Sequence, residues 1–203
     1  TLERLADCYL FSTPPQPEDA YGRIEEAVSL CESMSPQSKF RTRARLRCKQ
    51  AMVLALAGES QGATDVIARM KKQDYQNLVG QQVHEIDLYR QVAEGLVKLN
   101  EKATEGQAEL SSLLTLNSSG TGVAASRQQW EVMLFAGDQL LRSYKSADMK
   151  AAIGDADRLV DLASKSLNSS NLPYLRPYFN AALRVQLPGA NGLKIRSVAR
   201  NVQ

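Results

Sequence analysis

Residues 35–70 constrain the fold more than any other part of the chain, because they contain the signals of two helices joined by a tight turn. Ser35 and Pro36 match a helix N-cap followed by proline at the first helical position, where the missing N–H is no loss. Gly58 stands where a left-handed helix C-cap is expected. Apolar residues recur at helical spacing on both sides of it: Phe40, Ala44, Ala51, Leu54 and Ala55 before, and Ala63, Val66, Ile67 and Met70 after. The segment therefore predicts an antiparallel helical hairpin.

Small residues recur along the chain with a nearly constant spacing. On the predicted first helices they are Cys8, Ala51, Ala93 and Ala136, at steps of 43, 42 and 43 residues. On the predicted second helices they are Ala20, Ala63, Ala108 and Ala151, at steps of 43, 45 and 43 residues. Fixed-period self-similarity is typical of solenoids. With only 6% aromatic residues and apolar residues at helical spacing, the chain predicts an all-α fold, an α-solenoid of about four antiparallel hairpins.

The hairpin residues carry a resemblance to a known family. Small, large, turn, small and large positions of a tetratricopeptide repeat are matched, in that order, by Ala51, Leu54, Gly58, Ala63 and Ile67. The chain resembles this family over most of residues 1–168, with a period of about 43 residues in place of the family's ~34. The resemblance implies a concave groove, lined by the first helix of each hairpin, that binds an extended or helical peptide.

The same resemblance implies which side chains line the groove. They are Leu5, Tyr9, Arg45, Cys48, Met52, Arg90, Glu94, Lys98, Trp130, Met133 and Leu140. Arginine, methionine and tryptophan are enriched in partner-binding surfaces. The alternative is that Trp130, Met52 and Met133 are core residues between helices, and a register error of one residue would rotate each position by ~100°.

A ladder of cations runs through the first helix of the second hairpin: Lys39, Arg41, Arg43, Arg45, Arg47 and Lys49. As a functional site these side chains would bind phosphates or acidic peptides, since arginine matches both. Alternatively, the arginines pair with acidic residues of the preceding helix, such as Glu25, Glu26 and Glu32. The sequence leaves both interpretations open.

The C-terminal part predicts an end to the repeat. Residues 172–187, with prolines near their start, predict a single capping helix of the kind that solenoids need. We therefore expect one repeat domain over residues 1–187, followed by a basic tail or short helix over residues 188–203.

Composition and motifs exclude several classes of protein. No apolar run approaches the ~18 residues of a membrane span. The N-terminal residues show no charged-then-apolar pattern, so we expect no secretory signal. The lone His84 lacks companion metal ligands, and no phosphate-binding loop or nucleophile motif occurs. We therefore expect a non-enzymatic intracellular protein, cytoplasmic or nuclear, without a cofactor. Its three cysteines, Cys8, Cys31 and Cys48, are expected to be reduced and largely buried.

Three hypotheses on function follow. The first is a scaffold or adaptor that binds a partner peptide or subunit through its groove, within a multi-subunit assembly. The second is an RNA- or phosphate-binding module that uses residues 41–49 together with Lys194, Arg196 and Arg200, although a net charge of +3 and a pI near 8.8 fall short of the pI above ~9 that is typical of such proteins. The third is a helical bundle or sensor domain in which the period is coincidental.

Overall fold

The computed structural model describes residues 1–12, 15–115, 127–145 and 148–167. Within these ranges the regular structure consists of helices, so the predicted all-α class is confirmed. The eight α-helices are α1 (Leu2–Leu10), α2 (Pro17–Leu30), α3 (Pro36–Leu56), α4 (Ser60–Gln73), α5 (Gln81–Glu101), α6 (Ala103–Leu113), α7 (Arg127–Ser143) and α8 (Met149–Leu167). Short 3-10 turns follow α2 at Cys31–Ser33 and α4 at Tyr75–Asn77.

The chain divides into two compact units, Thr1–Gly106 and Gln107–Gln203, with the boundary inside α6. The capping helix predicted over residues 172–187 and the tail over residues 188–203 lie outside the described residues. The single domain over residues 1–187 therefore stays a prediction.

The predicted hairpin of residues 35–70 is present as α3 and α4. Pro36 is the first residue of α3, and Gly58 in the turn has a φ of 84°, which favours glycine because it lacks a Cβ. Ser35 precedes the helix as predicted, but its side chain makes no capping hydrogen bond. The local sequence signals thus place the start of α3 and the turn after it correctly.

α3 is the central helix of the first unit. It packs against α2 and the Cys31–Ser33 turn on one flank and against α4 and α5 on the others. Every residue from 43 to 49 is buried. A helix that is buried on all sides is usually apolar all round, whereas α3 carries its cationic ladder into the interior.

The register of the small residues is confirmed only in part. Ala20, Ala51, Ala63, Ala93 and Ala136 are fully buried. In contrast to the predicted register, Cys8, Ala108 and Ala151 are exposed. The small residue that is buried on α6 is Gly106, and on α8 the buried small residues include Ala152 and Ala156.

Gly106 occupies the closest approach between α5 and α6. Only Lys102 separates the two helices, so α6 starts directly against the end of α5. A Cβ atom at Gly106 would lie 2.4 Å from the Leu99 backbone nitrogen and 2.7 Å from its Cα. Backbone atoms have no rotamer by which to move away, so this turn depends on glycine.

The second unit is organised around the buried carboxylate of Asp155 on α8. Tyr144, which follows α7, donates its hydroxyl to Oδ2 at 2.5 Å, and Ser111 of α6 donates to Oδ1 at 2.7 Å. Arg158 Nη1 lies 2.7 Å from the same Oδ1. Burial and the bond to Asp155 raise the pKa of Tyr144 above its ordinary value. One carboxylate thus ties α6 and the end of α7 to α8.

We expect Gly106→Ala to destabilise the protein by about 1–3 kcal/mol, because the added methyl group overpacks the α5–α6 contact. Gly22→Ala on α2 is the matched control, since a Cβ there meets nothing within 4 Å, and we expect it to stabilise by about 0.5–1 kcal/mol. Urea unfolding followed by circular dichroism measures both. Equal effects of the two substitutions would contradict the close approach.

Candidate functional site

The cations of α3 separate onto two sides of the helix. Residues four apart differ by about 40° around the axis, whereas residues two apart differ by about 200°. Arg41, Arg45 and Lys49 therefore form one row, and Arg43 and Arg47 form a second row on the other side. Each row meets its own set of carboxylates.

Glu85 of α5 receives the outer end of the first row. Arg41 contacts Glu85 Oε2 through Nε at 2.9 Å and through Nη2 at 2.5 Å. Arg45 donates from Nη1 to Glu85 Oε1 at 2.9 Å. Glu85 is buried, and its carboxylate is shared by two guanidinium groups.

The inner end of the first row meets α1. Arg45 forms a two-pronged contact with Glu3, from Nε to Oε1 at 2.6 Å and from Nη2 to Oε2 at 2.8 Å. Lys49 Nζ donates to Glu3 Oε1 at 2.9 Å and to Asp7 Oδ1 at 2.5 Å. The ammonium group also lies 5.6 Å from the centre of the Tyr89 ring. These contacts hold α1 against α3.

The second row meets Asp74, the residue that caps α4. Arg43 Nε donates to Asp74 Oδ1 and Arg47 Nη1 donates to Oδ2, both at 2.7 Å. Arg43 also contacts Glu32, which accepts from Lys39 at 2.5 Å. The guanidinium group of Arg43 stacks over Phe40 at 5.7 Å from the ring centre. Asp74 is fully buried, so its charge is balanced by these two arginines.

The α3 ion-pair network consists of these side chains: Glu3, Asp7, Glu32, Lys39, Arg41, Arg43, Arg45, Arg47, Lys49, Asp74 and Glu85. Of the cations predicted to contact anions or RNA, Arg43, Arg45, Arg47 and Lys49 are at most 9% exposed. Arg41 is the most exposed of the five and is paired with Glu85. The cationic ladder is therefore built into the fold, with its charges neutralised from within.

The predicted pairing with acidic residues of the preceding helix is correct for Glu32 but not for Glu26. Glu26 pairs with Arg23 on the exposed face of α2 at 3.3 Å. The main partners are Glu3, Asp7, Asp74 and Glu85, which the sequence does not single out. One signal was available: Glu3 and Asp7 are four residues apart, as are Arg45 and Lys49, so that the two pairs match on adjacent parallel helices.

Burial and pairing act in opposite directions on the two carboxylates of α1. Burial alone would raise the pKa of Glu3, but the hydrogen bond from Arg45 and the charge of Lys49 bring it down to about 2. Burial raises the pKa of Asp7 despite the neighbouring Lys49. Glu3 is therefore the carboxylate whose ionised form the network stabilises most clearly.

We expect Lys49→Met to destabilise the protein by about 3–5 kcal/mol, because it leaves the buried Asp7 carboxylate with only a 3.4 Å contact to the half-exposed Arg4. Arg23→Ala breaks an exposed pair in the same unit and should cost less than about 1 kcal/mol. Urea unfolding at neutral pH compares them. Should the Lys49 variant be as stable as the Arg23 variant, the network would not contribute as described.

The acid side of the stability profile should depend on Glu3. Its pKa is lowered in the folded state to about 2, so its contribution is present above its unfolded pKa of about 4.3 and is lost as the pH falls toward 2. We expect the free energy of unfolding to fall less steeply between these pH values for Glu3→Gln than for the wild type, when measured by urea titration at each pH. Parallel profiles would show that Glu3 is not stabilised as a carboxylate.

The structure brings only some of the predicted groove residues together. Met52, Cys48, Met133 and Leu140 are at most 2% exposed, so their side chains are core residues between helices and do not line an open surface. Arg45 belongs to the α3 ion-pair network. Tyr9 and Trp130 are partly buried on α1 and α7, and Leu5 is 39% exposed. Here the core alternative is correct for both methionines, because their positions face neighbouring helices.

Glu94 and Lys98 do line a groove, and it lies between α4 and α5. The α4–α5 groove has a volume of about 460 Å³ and is lined by Thr64, Ile67, Ala68, Lys71, Glu94, Val97, Lys98 and Glu101. Ile67 and Val97 are 6% and 7% exposed and form its floor. Thr64 and Ala68 are exposed and small, so the α4 rim is low.

At one end of the α4–α5 groove, side chains of opposite charge contact one another in series. Lys71 Nζ contacts Glu94 Oε1 at 2.7 Å across the groove, and Arg90 Nη1 contacts Glu94 Oε2 at 2.6 Å. Arg90 also contacts Asp87, which accepts a hydrogen bond from Tyr75 at 2.8 Å. The lining carries two lysines and two glutamates, so the groove has no net charge. Arg90 thus supports the rim from outside the lining.

The described residues offer little support for a metal site, a disulfide or a membrane span. His84 is exposed on α5, and the described ranges hold no group of three His, Cys, Asp or Glu side chains that could hold a metal ion. The three cysteines are free thiols, with Cys31 and Cys48 buried and Cys8, in contrast to the expectation, exposed. No helix in the part of the chain that the structure describes is both long and apolar enough to cross a membrane.

Comparison with known proteins adds no relative to these findings. No protein-family model matches the sequence. Searches of curated proteins and of solved structures likewise gave no significant match.

Proposed function

We propose that the chain is a tetratricopeptide-like helical scaffold that binds a segment of a partner protein in the α4–α5 groove. The observation that carries the proposal is the groove itself. Its floor is formed by the apolar residues Ile67 and Val97, and it lies between a rim of small residues on α4 and a rim of charged residues on α5. Helical segments of partners commonly place an apolar face into such a groove. The solenoid arrangement of hairpins and the larger assembly are part of this proposal.

The balance of charge in the groove supports a protein ligand over a nucleic acid. Two lysines and two glutamates line it, and Lys71 is already paired with Glu94. Binding that rests on apolar contact is weakly dependent on salt. Binding to phosphates weakens steeply as salt rises, because less free energy is gained when counterions are released into a more concentrated solution.

The alternative, an RNA- or phosphate-binding module, loses its main surface in this arrangement. Arg43, Arg45, Arg47 and Lys49 would each have to leave a buried carboxylate in order to reach a phosphate, and an uncompensated buried charge costs several kcal/mol, on the order of 3–5. The basic residues Lys194, Arg196 and Arg200 lie outside the described residues. We therefore place the protein-binding function first.

The test is selection of a displayed peptide library on the 203-residue chain, followed by affinity measurement on wild type and on Ala68→Arg. An arginine at position 68 would fill the low rim of the groove, and we expect it to weaken the selected peptides at least about tenfold, or ~1.4 kcal/mol. Ala108→Arg is the matched control, since Ala108 is also an exposed helical alanine but lies outside the groove. It should leave affinity unchanged.

Salt and RNA complete the test. The selected peptides should lose less than about threefold in affinity between ~0.1 and ~0.5 M salt. Single-stranded RNA, followed by fluorescence anisotropy over the same range, should not bind. A library without binders that depend on Ala68 would contradict the groove proposal, and tight RNA binding with a steep salt slope would favour the alternative.

A further inference from the structure

The two walls of the α4–α5 groove run antiparallel and in one register. Lys71 and Glu94, in direct contact at 2.7 Å, mark one level of the groove. A step of seven residues back along α4 and seven residues forward along α5 leads to Thr64 and Glu101, which also line the groove. At 1.5 Å per residue these two levels lie about 10 Å apart, which is two helical turns.

The two ends of the groove differ in charge. At one end Glu94 contacts both Lys71 and Arg90, so its carboxylate is already neutralised. At the other end Glu101 is exposed and lies level with Thr64, an uncharged side chain whose hydroxyl donates to a carbonyl of its own helix. Among the described residues Glu101 has no ion-pair partner. The second end therefore offers a carboxylate to whatever occupies the groove.

Between the two ends the groove is apolar at its floor and low on the α4 side. Ile67 and Val97 form the floor, and the small side chain of Ala68 lets another backbone approach α4 closely. Lys98 stands on the α5 wall between the two glutamates and repels a cation at that level. A basic group is therefore favoured only at the Glu101 end, one turn away from Val97.

The spacing of the lining residues favours a helix over an extended segment. On both walls they stand at positions i, i+3, i+4 and i+7, over two turns. A helix laid along the groove repeats this spacing and keeps one face of three or four side chains against the floor. An extended segment of about 10 Å has only three residues, and it turns every second side chain away.

We infer that the occupant of the α4–α5 groove is an amphipathic helix of a partner protein, with a basic residue one turn away from a large apolar residue. The apolar residue lies over Ile67 and Val97, and the basic residue contacts Glu101. The position that faces the paired Lys71 and Glu94 is uncharged, because a charge there would compete with that pair. The inference rests on the proposed function of the groove and adds to it the chemistry of the partner.

The first measurement is selection of displayed random peptides of about 16 residues, long enough to form a helix, on wild type and separately on Glu101→Lys. Glu101 is the last residue of α5, where lysine suits the helix dipole, so we expect the variant to fold. Peptides selected on wild type should carry lysine or arginine three or four positions from a large apolar residue. Peptides selected on the variant should carry glutamate or aspartate at that position.

The second measurement is the affinity of one synthetic peptide from the wild-type selection. We expect Glu101→Lys to weaken its binding at least about fivefold at ~0.1 M salt, because an attraction becomes a repulsion. Each of the two contributes about twofold, which agrees with a weak dependence on salt. The same peptide with glutamate in place of its basic residue should bind the variant more tightly than wild type.

Glu25→Lys on α2 is the matched control. Glu25 is also an exposed helical glutamate and its replacement changes the net charge equally, but it does not line the groove. We expect it to leave both affinities unchanged.

The outcomes separate this inference from the proposed function. Peptides that depend on Ala68 but carry no basic residue at this spacing overturn the inference and leave the proposed function in place. The same holds for peptides that bind wild type and Glu101→Lys equally well, and for selected sequences whose apolar residues alternate as in a strand. A library without binders that depend on Ala68 overturns both.

Discussion

The first unit depends on one constraint, which is that charges placed inside it must be neutralised there. α3 is buried along residues 43–49 and four of those seven residues are cationic. Desolvation of an ion is compensated only by close opposite charge and by hydrogen bonds that satisfy its remaining donors. Glu3 and Asp7 from α1, Asp74 from the end of α4 and Glu85 from α5 supply these charges from three directions. The positions of those helices around α3 follow from this requirement.

Such a core favours specificity over stability. Well-packed apolar residues in the place of buried ion pairs are often neutral or stabilising, whereas a single lost partner is strongly destabilising. An apolar α3 could slide or rotate against its neighbours at small cost, but the network accepts only the register in which each carboxylate meets its cations. A fixed register of α3, α4 and α5 in turn fixes the α4–α5 groove, because Ile67 and Val97 come from helices that both pack on α3.

The sequence predicts what depends on local signals and misses what depends on distant pairing. Pro36, Gly58 and the apolar stripes locate the hairpin, since caps and periodicity act within a few residues. Arg45 and Lys49 share the partner Glu3, which lies 42 and 46 residues away from them, and no local rule selects it among the carboxylates of the chain.

The predicted register on α6 is wrong for another reason. The spacing of small residues points to Ala108, whereas the one-residue turn at Lys102 brings Gly106 to the contact with α5. Of the lining of the α4–α5 groove, the sequence predicts only Glu94 and Lys98. The other wall is α4, the second helix of a hairpin, and the family resemblance assigns only first helices to a groove.

The distance along the chain between α1 and its counterions has a consequence during synthesis. The ribosome makes Glu3 and Asp7 before Lys49, their shared cation, which follows Asp7 by 42 residues. At a rate of ~5–20 residues per second, this is a delay of a few seconds. During that interval α1 lacks the cations of α3, and it is too short to keep a helix by itself. α1 is therefore translated before it can complete its contacts, and a nascent chain that stalls before α3 emerges presents this acidic segment to the cell without its counterions.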